Sequence, residues 1–176
     1  MKYEIVLADP PWAETGGGKI KRGADKHYPL MSTQEIKKVW DEVSGRVSAD
    51  SFLFLWVTNN FLPDGLEVMA HWGYRYITNF VWVKNQQGLG FYARGKHELC
   101  LLGRRGNPPR SRRGGGGSGG FDIPQSVLHA DKGRHSAKPE AFYEIVESFK
   151  ASSDSPCLEM FARTRHPGWD VWGSEV

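Results

Sequence analysis

The sequence predicts an α/β domain, a mixed and mostly parallel sheet with helices on both faces. Three observations carry that expectation. Short apolar runs of strand length alternate along the chain with segments whose apolar residues recur at helical spacing. The first run, Ile5-Val6-Leu7-Ala8, is apolar without interruption, as a buried strand is. It stops at a carboxylate, Asp9, and the carboxyl ends of strands are where an open α/β sheet holds its ligands.

Asp9 is followed by Pro10, Pro11 and Trp12. Each proline fixes φ and removes a backbone donor, so the carbonyls of Asp9 and Pro10 are expected to stay free as acceptors. Trp12 offers a flat face on which a base can stack. A carboxylate, a rigid carbonyl and an aromatic face within four residues suit a planar amino group on a heteroaromatic ring. The alternative is a proline-stiffened turn with a packed Trp.

Composition narrows the class. With 176 residues, 39% of them apolar, and seven Trp, the chain is expected to be one globular domain with a substantial core. No apolar stretch is long enough to span a bilayer and the N-terminus lacks a signal-peptide pattern, so a cytoplasmic protein without membrane partners is expected. Cys100 and Cys157 lie in apolar runs without a CxxC and read as reduced core thiols. The six His are scattered without ligand spacing, so no metal is expected. A net charge of +3 says little about nucleic acid; where the charges sit says more.

Residues 13–27, rich in Gly and Lys, read as a long loop leaving the first strand. Lys21 and Arg22 there are candidates for phosphate contacts, with a solvated loop as the alternative, and Tyr28 lies where the chain returns. Ser32 and Glu35 form a capping box ahead of a helix with Ile36, Val39, Trp40 and Val43 on its apolar stripe. Residues 51–58 read as a second buried strand, 62–72 as a helix stopped by Gly73, and 74–84 and 97–103 as an antiparallel pair at the sheet edge. From 104 to 120 the composition changes: Arg104, Arg105, Arg110, Arg112 and Arg113 crowd around Pro108-Pro109, then a Gly-rich run fills 114–120. That run has the composition of a flexible linker, engineered or natural. Residues 123–129 suggest a short strand, 140–149 a helix opened by Lys138-Pro139, and 156–161 and 169–172 the last two strands.

At Asp9-Pro10-Pro11-Trp12 the chain resembles the MT-A family of DPPW-type N6-adenine methyltransferases, which includes messenger-RNA adenosine writers and bacterial and phage DNA adenine enzymes. The resemblance continues in order through Phe52-Leu53-Phe54-Leu55-Trp56-Val57-Thr58, Trp72-Gly73-Tyr74, Trp82-Val83-Lys84, Gly95-Lys96-His97-Glu98, His135-Ser136-Ala137-Lys138-Pro139 and Glu159-Met160-Phe161-Ala162-Arg163. It implies a Rossmann-like class I methyltransferase in circularly permuted order, with the catalytic strand first and the cofactor strand late. The whole chain, 1–176, would then be one methyltransferase domain with a flexible recognition insert at about 104–134.

The resemblance also implies the chemistry. The cofactor would be S-adenosyl-L-methionine. Asp9, Pro10, Pro11 and Trp12 would be catalytic, with Asp9 also meeting the methionine moiety and Lys96 its carboxylate. Arg163, Arg165 and His166 would hold the ribose and Phe161 would lie beside the adenine. Ser174 and Glu175 match an Asn-Gln pair of some relatives and depart from it in kind. Ser136 and Lys138 sit at a helix start, where backbone N–H groups hold an anion such as the methionine carboxylate; a plain helix cap is the alternative. Trp12, Lys21, Arg22, Tyr28, Arg110, Arg112 and Arg113 would meet the nucleic acid. DNA is expected ahead of RNA, in the cytoplasm of a bacterium or phage-infected host, with a homodimer or a heterodimer with a related subunit as the assembly. The alternatives are an RNA N6-adenosine methyltransferase and a catalytically silent, nucleic-acid-binding partner subunit.

Overall fold

The computed structural model describes residues 2–13, 30–88, 92–109, 123–133 and 137–173. In chain order these form β1 (Tyr3–Ala8), α1 (Thr33–Val43), β2 (Val47–Val57), α2 (Leu62–His71), β3 (Arg75–Val83), β4 (His97–Arg105), β5 (Val127–His129), α3 (Glu140–Glu147), β6 (Cys157–Met160) and β7 (Asp170–Trp172). The strands make one sheet in the order β5-β3-β4-β2-β1-β6-β7.

β1 pairs in parallel with β2 and β6, β6 with β7, and β3 with β5. β4 is antiparallel to both its neighbours, β2 and β3. Only β4 therefore runs against the rest, and the ends of β1, β2, β3 and β6 share one sheet edge with the start of β4. β1 has the early β2 on one side and the late β6 on the other, which makes the end of β1 a topological switch point. This is the mostly parallel sheet that the sequence predicts, in the permuted order that the resemblance implies.

Helices cover both faces. α1 starts on the expected capping box, in which the Ser32 side chain accepts from the Glu35 N–H and Glu35 accepts from the Ser32 N–H at 2.7 Å. Ile36, Val39, Trp40 and Val43 are all buried, against Val6, Ala8, Leu53 and Leu55. α2 carries Pro63 in its first turn, and Gly73 follows its end at φ 82°, a left-handed geometry suited to glycine. α3 covers the other face, where Phe142, Val146 and Phe149 pack on Ile5, Leu7, Phe52, Phe54 and Trp56. Burying a side chain of this size contributes about 1.5–3 kcal/mol. The Phe142 ring lies 4.5 Å from Trp56, which meets Trp82 edge-on at 6.2 Å. Cys100 and Cys157 are free and buried, as expected. Among the described residues no helix is long and apolar enough to cross a membrane.

The structure differs from the sequence reading at several boundaries. β2 starts at Val47 rather than 51, because Arg105 donates to the carbonyls of Val47 (3.4 Å) and Ser48 (2.6 Å) and holds the polar start of the strand. Arg104 and Arg105 complete β4 instead of opening a basic arm. The Arg105 guanidinium stands 5.5 Å over Trp40 and 5.3 Å over Tyr74, so this charge is spent on aromatic faces. At the far end of the anticipated insert, β5 lies along Val81–Val83 of β3, so the β3–β4 pair is flanked rather than outermost. α3 ends at Glu147 rather than 149, with Pro139 at its N-cap.

Candidate active site

The site is built at the shared edge of the sheet, on the face that α3 covers. Alternation along the strands decides which side chains reach it. Leu7 points into the α3-side core, and two residues later Asp9 stands on the same side at the end of β1. Phe54 and Trp56 lead to Thr58, and Phe80 and Trp82 to Lys84. Cys157 leads to Glu159 on β6. β4 runs the other way and brings in Glu98 ahead of Cys100.

Five charges of alternating sign line this edge: Lys84, Glu98, Lys138, Asp9 and Arg163. Lys84 pairs with Oε1 of Glu98. Lys138 Nζ lies 3.2 Å from Glu98 Oε2 and 2.8 Å from Asp9 Oδ1. Arg163 stands 3.8 Å from Asp9 Oδ2. Side-chain exposure runs from 12% at Lys138 to 24% at Arg163, so the row is mostly shielded from water. Its floor is aromatic: Lys138 Nζ sits 5.1 Å above Trp56, and Lys84 Nζ 4.9 Å above Trp82. Trp82 is fixed in turn by donating to the Ala130 carbonyl at 2.9 Å.

Burial alone would raise the Glu98 carboxyl, but Lys138 and Lys84 outweigh it and hold it below the usual range. Burial alone would likewise lower the Lys138 ammonium, but Asp9 and Glu98 outweigh that and raise it. Each lone charge would be costly here; in the row, each faces a charge of opposite sign.

A second cluster lies on β6. Tyr143 of α3 donates to Glu159 Oε1 at 2.9 Å, and its ring stacks on His166 at 4.0 Å and 10°. His166 Nδ1 is 3.3 Å from Glu140 Oε1, and Trp169 closes the stack edge-on. Burial, with Asp9 and Glu140 nearby, raises the Glu159 carboxyl despite the Tyr143 hydrogen bond. Burial and the Glu159 charge raise the Tyr143 phenol as well. Glu159 Oε2, Thr58 Oγ1 and Trp56 Nε1 are buried polar atoms without a hydrogen-bond partner among the described residues, a costly condition that a bound polar ligand can relieve. Next to Glu159, Phe161 has a left-handed φ of 62°, with its N–H bonded to the Trp172 carbonyl at 2.6 Å. Such strain in a non-glycine residue gathers at ligand clamps. Gly173 permits the turn, because a Cβ there would come within 2.9 Å of the Ala162 carbonyl.

The structure therefore gathers Asp9, Lys138 and Arg163, with Phe161 one strand over and His166 in the second cluster. It does not gather Lys96, whose side chain is exposed and whose carbonyl accepts from the Lys84 N–H at 2.8 Å. Arg165 is exposed. Trp12 is only 5% exposed: it donates to the Trp56 carbonyl at 3.0 Å and stacks on Phe61 at 5.4 Å, so its face is turned to the core rather than to an incoming base. The Pro10 carbonyl accepts from the Trp12 N–H at 2.9 Å and the Pro11 carbonyl from Met31 at 2.8 Å, so Pro10 keeps one lone pair rather than two for a substrate. Lys21, Arg22, Tyr28, Arg110, Arg112, Arg113, Ser136 and Ser174 lie outside the described residues.

Sequence reasoning missed Glu98, Lys84, Glu159 and Tyr143 as site residues. A signal existed: Lys84, Glu98 and Glu159 are each charged residues two places from a buried core side chain, and so on the same face of their strand. With acceptors at Asp9 and Glu159 and cations at Lys138 and Arg163, the site suits a ligand with cationic and anionic ends. S-adenosylmethionine has that character.

The sequence as a whole is similar to known proteins. The chain is similar to a "Type II methyltransferase M.MunI" from Mycoplasma sp, with 28% identity over 99% of this chain and 78% of that protein. It is similar to zebrafish (Danio rerio) "N(6)-adenosine-methyltransferase subunit METTL3", at 28% identity over 99% of this chain and 28% of the relative. Human METTL3, an "N(6)-adenosine-methyltransferase catalytic subunit", matches at 29% identity with the same coverage. The chain thus spans most of the mycoplasma protein but only about a quarter of the animal ones. A sequence model of the MT-A70 family matches residues 3–175, nearly all of the protein, and the chain belongs to that family.

Proposed function

We propose that this protein transfers a methyl group from S-adenosylmethionine to the 6-amino nitrogen of adenine in nucleic acid, DNA ahead of RNA. One observation carries the reading most: a carboxylate at the end of the central strand, in Asp9-Pro10-Pro11-Trp12, fixed on one oxygen by Lys138 and flanked on the other by Arg163. S-adenosylmethionine, when bound, supplies an electrophilic methyl group on a sulfonium. The chain's own residues have to make a poor nucleophile attack it. The adenine amino lone pair is delocalised into the ring; accepting its hydrogens at the Asp9 carboxylate and the Pro10 carbonyl favours a pyramidal nitrogen with its lone pair aimed outward. A carboxylate held by two cations does this without reorganising, which is where most of the acceleration arises. The amine proton leaves after the new bond has formed, so no strong base is required.

Lys138 and Arg163 would hold the cofactor's carboxylate and ribose, and Glu159 with Phe161 would bound its amino and adenine ends. A base in a duplex must first be flipped out at a cost of a few kcal/mol; with Trp12 buried, other surfaces of the site must receive it. We place DNA first because the chain spans most of a compact Type II methyltransferase, and keep RNA as the second reading beside the similarity to N(6)-adenosine-methyltransferases. The setting we propose is the cytoplasm, with a second copy or a related subunit as partner.

Incubating the protein with isotope-labelled cofactor and matched single- and double-stranded DNA and RNA tests this. N6-methyladenine in the digested DNA supports the reading. Label in RNA alone moves the substrate to RNA. No label in any of the four, with cofactor bound, identifies a catalytically silent subunit.

A further inference from the structure

The methyl-transfer reading assigns no task to Lys84. This lysine follows the last residue of β3 and points to the α3 side, where it pairs with Oε1 of Glu98, while the other oxygen of the same carboxylate, Oε2, takes Lys138. Both lysines rest on tryptophans, and those tryptophans meet edge-on. Lys84 and Glu98 are each 17% exposed, too shielded for a casual surface pair.

We propose, on the basis of the methyl-transfer reading, that Lys84 is a positioning residue for that reaction: by holding one oxygen of Glu98 it aims the other at Lys138, and so fixes the Lys138 ammonium on Asp9. The groups facing Glu98 are Lys84 from the end of β3 and Lys138 from the start of α3, with Asp9 of β1 behind Lys138 and Arg163 behind Asp9. Cys100 is the next side chain on the same face of β4, and its thiol is pushed up by burial, so it adds no charge. Glu159 lies beyond Asp9 on β6. Removing Lys84 frees the Glu98 carboxylate to turn, removes one of the two cations that oppose its burial, and leaves Lys138 to divide itself between Asp9 and an unanchored Glu98. Geometry at Asp9 then loosens although Lys84 touches neither substrate nor cofactor. Displacements of this kind, remote from the reacting atoms, cost roughly ten- to a hundredfold in rate.

Two readouts test the role, using Lys84→Met and the charge-preserving Lys84→Arg, with Lys84→Gln in reserve should Lys84→Met not fold. In the first, protein labelled with 13C at the glutamate carboxyls is titrated, with Glu98 assigned from the signal missing in Glu98→Gln. The Glu98 midpoint should rise in Lys84→Met and return towards wild type in Lys84→Arg. In the second, kcat for methyl transfer should fall in Lys84→Met, the acid limb of the kcat profile should move to higher pH, and Lys84→Arg should recover most of the loss. A merely structural role would lower the rate equally at all pH values and leave the Glu98 midpoint in place; that result overturns the proposal. A wild-type protein that methylates no adenine overturns the methyl-transfer reading instead, and the carboxyl titration still decides whether Lys84 governs Glu98.

Discussion

The two sides of the site, at one sheet edge with β2 and β1 between them, treat buried carboxylates in opposite ways. On the β4 side, Glu98 lies between two lysines and is held below the usual carboxylate range although burial opposes it. On the β6 side, Glu159 is also largely buried, but its partner is a neutral phenol and its charged neighbours include Asp9 and Glu140, so its carboxyl is raised. The first cluster is complete in itself, with both oxygens of Glu98 taken by cations. The second is incomplete, with one oxygen of Glu159 buried and unpartnered among the described residues. A site that must hold a catalytic carboxylate still while admitting a cationic ligand needs both conditions: a rigid row that orients Asp9, and beside it an acceptor left for the ligand to satisfy.

The contrast predicts opposite responses to pH. Glu98, held low, contributes stability that is present above the ordinary carboxylate value and is lost as pH falls through its lowered one. Lys138, raised, contributes stability that is present below the ordinary ammonium value and is lost as pH climbs through its raised one. Glu159, a raised carboxyl, favours folding below the ordinary carboxylate value and loses that contribution as pH rises through its own.

The largest effect should come from breaking the rigid row. Lys138→Met leaves Glu98 and Asp9 shielded and short of a cation, and removing one member of such a buried pair costs about 3–5 kcal/mol. Denaturant melts across pH should show the deficit at neutral pH shrinking towards acid, as the carboxylates protonate; a deficit independent of pH would mean that Lys138 contributes packing alone. Trp12→Phe comes next. It keeps a ring against Phe61 but abandons the Trp56 carbonyl, so stability should fall by about 1–3 kcal/mol without a matching rise in substrate KM. A rise in substrate KM with unchanged stability would return Trp12 to the role of a stacking platform. The smallest effect belongs to the incomplete side. Glu159→Gln should slightly stabilise the free protein at neutral pH, where the charged acid is disfavoured. Calorimetry should show cofactor affinity falling by about tenfold, or roughly 1.4 kcal/mol. Unchanged affinity would remove Glu159 from the cofactor site.

These differences also mark what the sequence makes legible. The end of β1 with Asp9, the α1 capping box and its buried stripe are local patterns, and the structure reproduces them. Lys138 and Arg163 follow from their place in a family pattern rather than from any spacing. Lys84 and Glu98 were hidden because the fact that joins them, the pairing of Trp82 with Glu98 across β3 and β4, is a register formed over a long loop. Arg105 looked like part of a basic arm, and only the fold shows that it lies across Trp40 and Tyr74. Trp12 shows the same limit: its aromatic ring is evident, but which way it turns depends on Phe61 and Trp56, some fifty residues on.

The central claim is that Asp9, oriented by Lys138, is where the amino group of adenine is activated. The most direct test is mass spectrometry of N6-methyladenine formed in a single turnover with labelled cofactor, comparing wild type with Asp9→Ala. Because Asp9 stands at a strand end rather than within the core, the variant should melt cooperatively and still bind nucleic acid, while its methyl transfer falls by at least about a thousandfold. A folded Asp9→Ala protein that keeps more than about a tenth of the wild-type rate would contradict the account, since a loss that small is only about 1.4 kcal/mol of transition-state stabilisation.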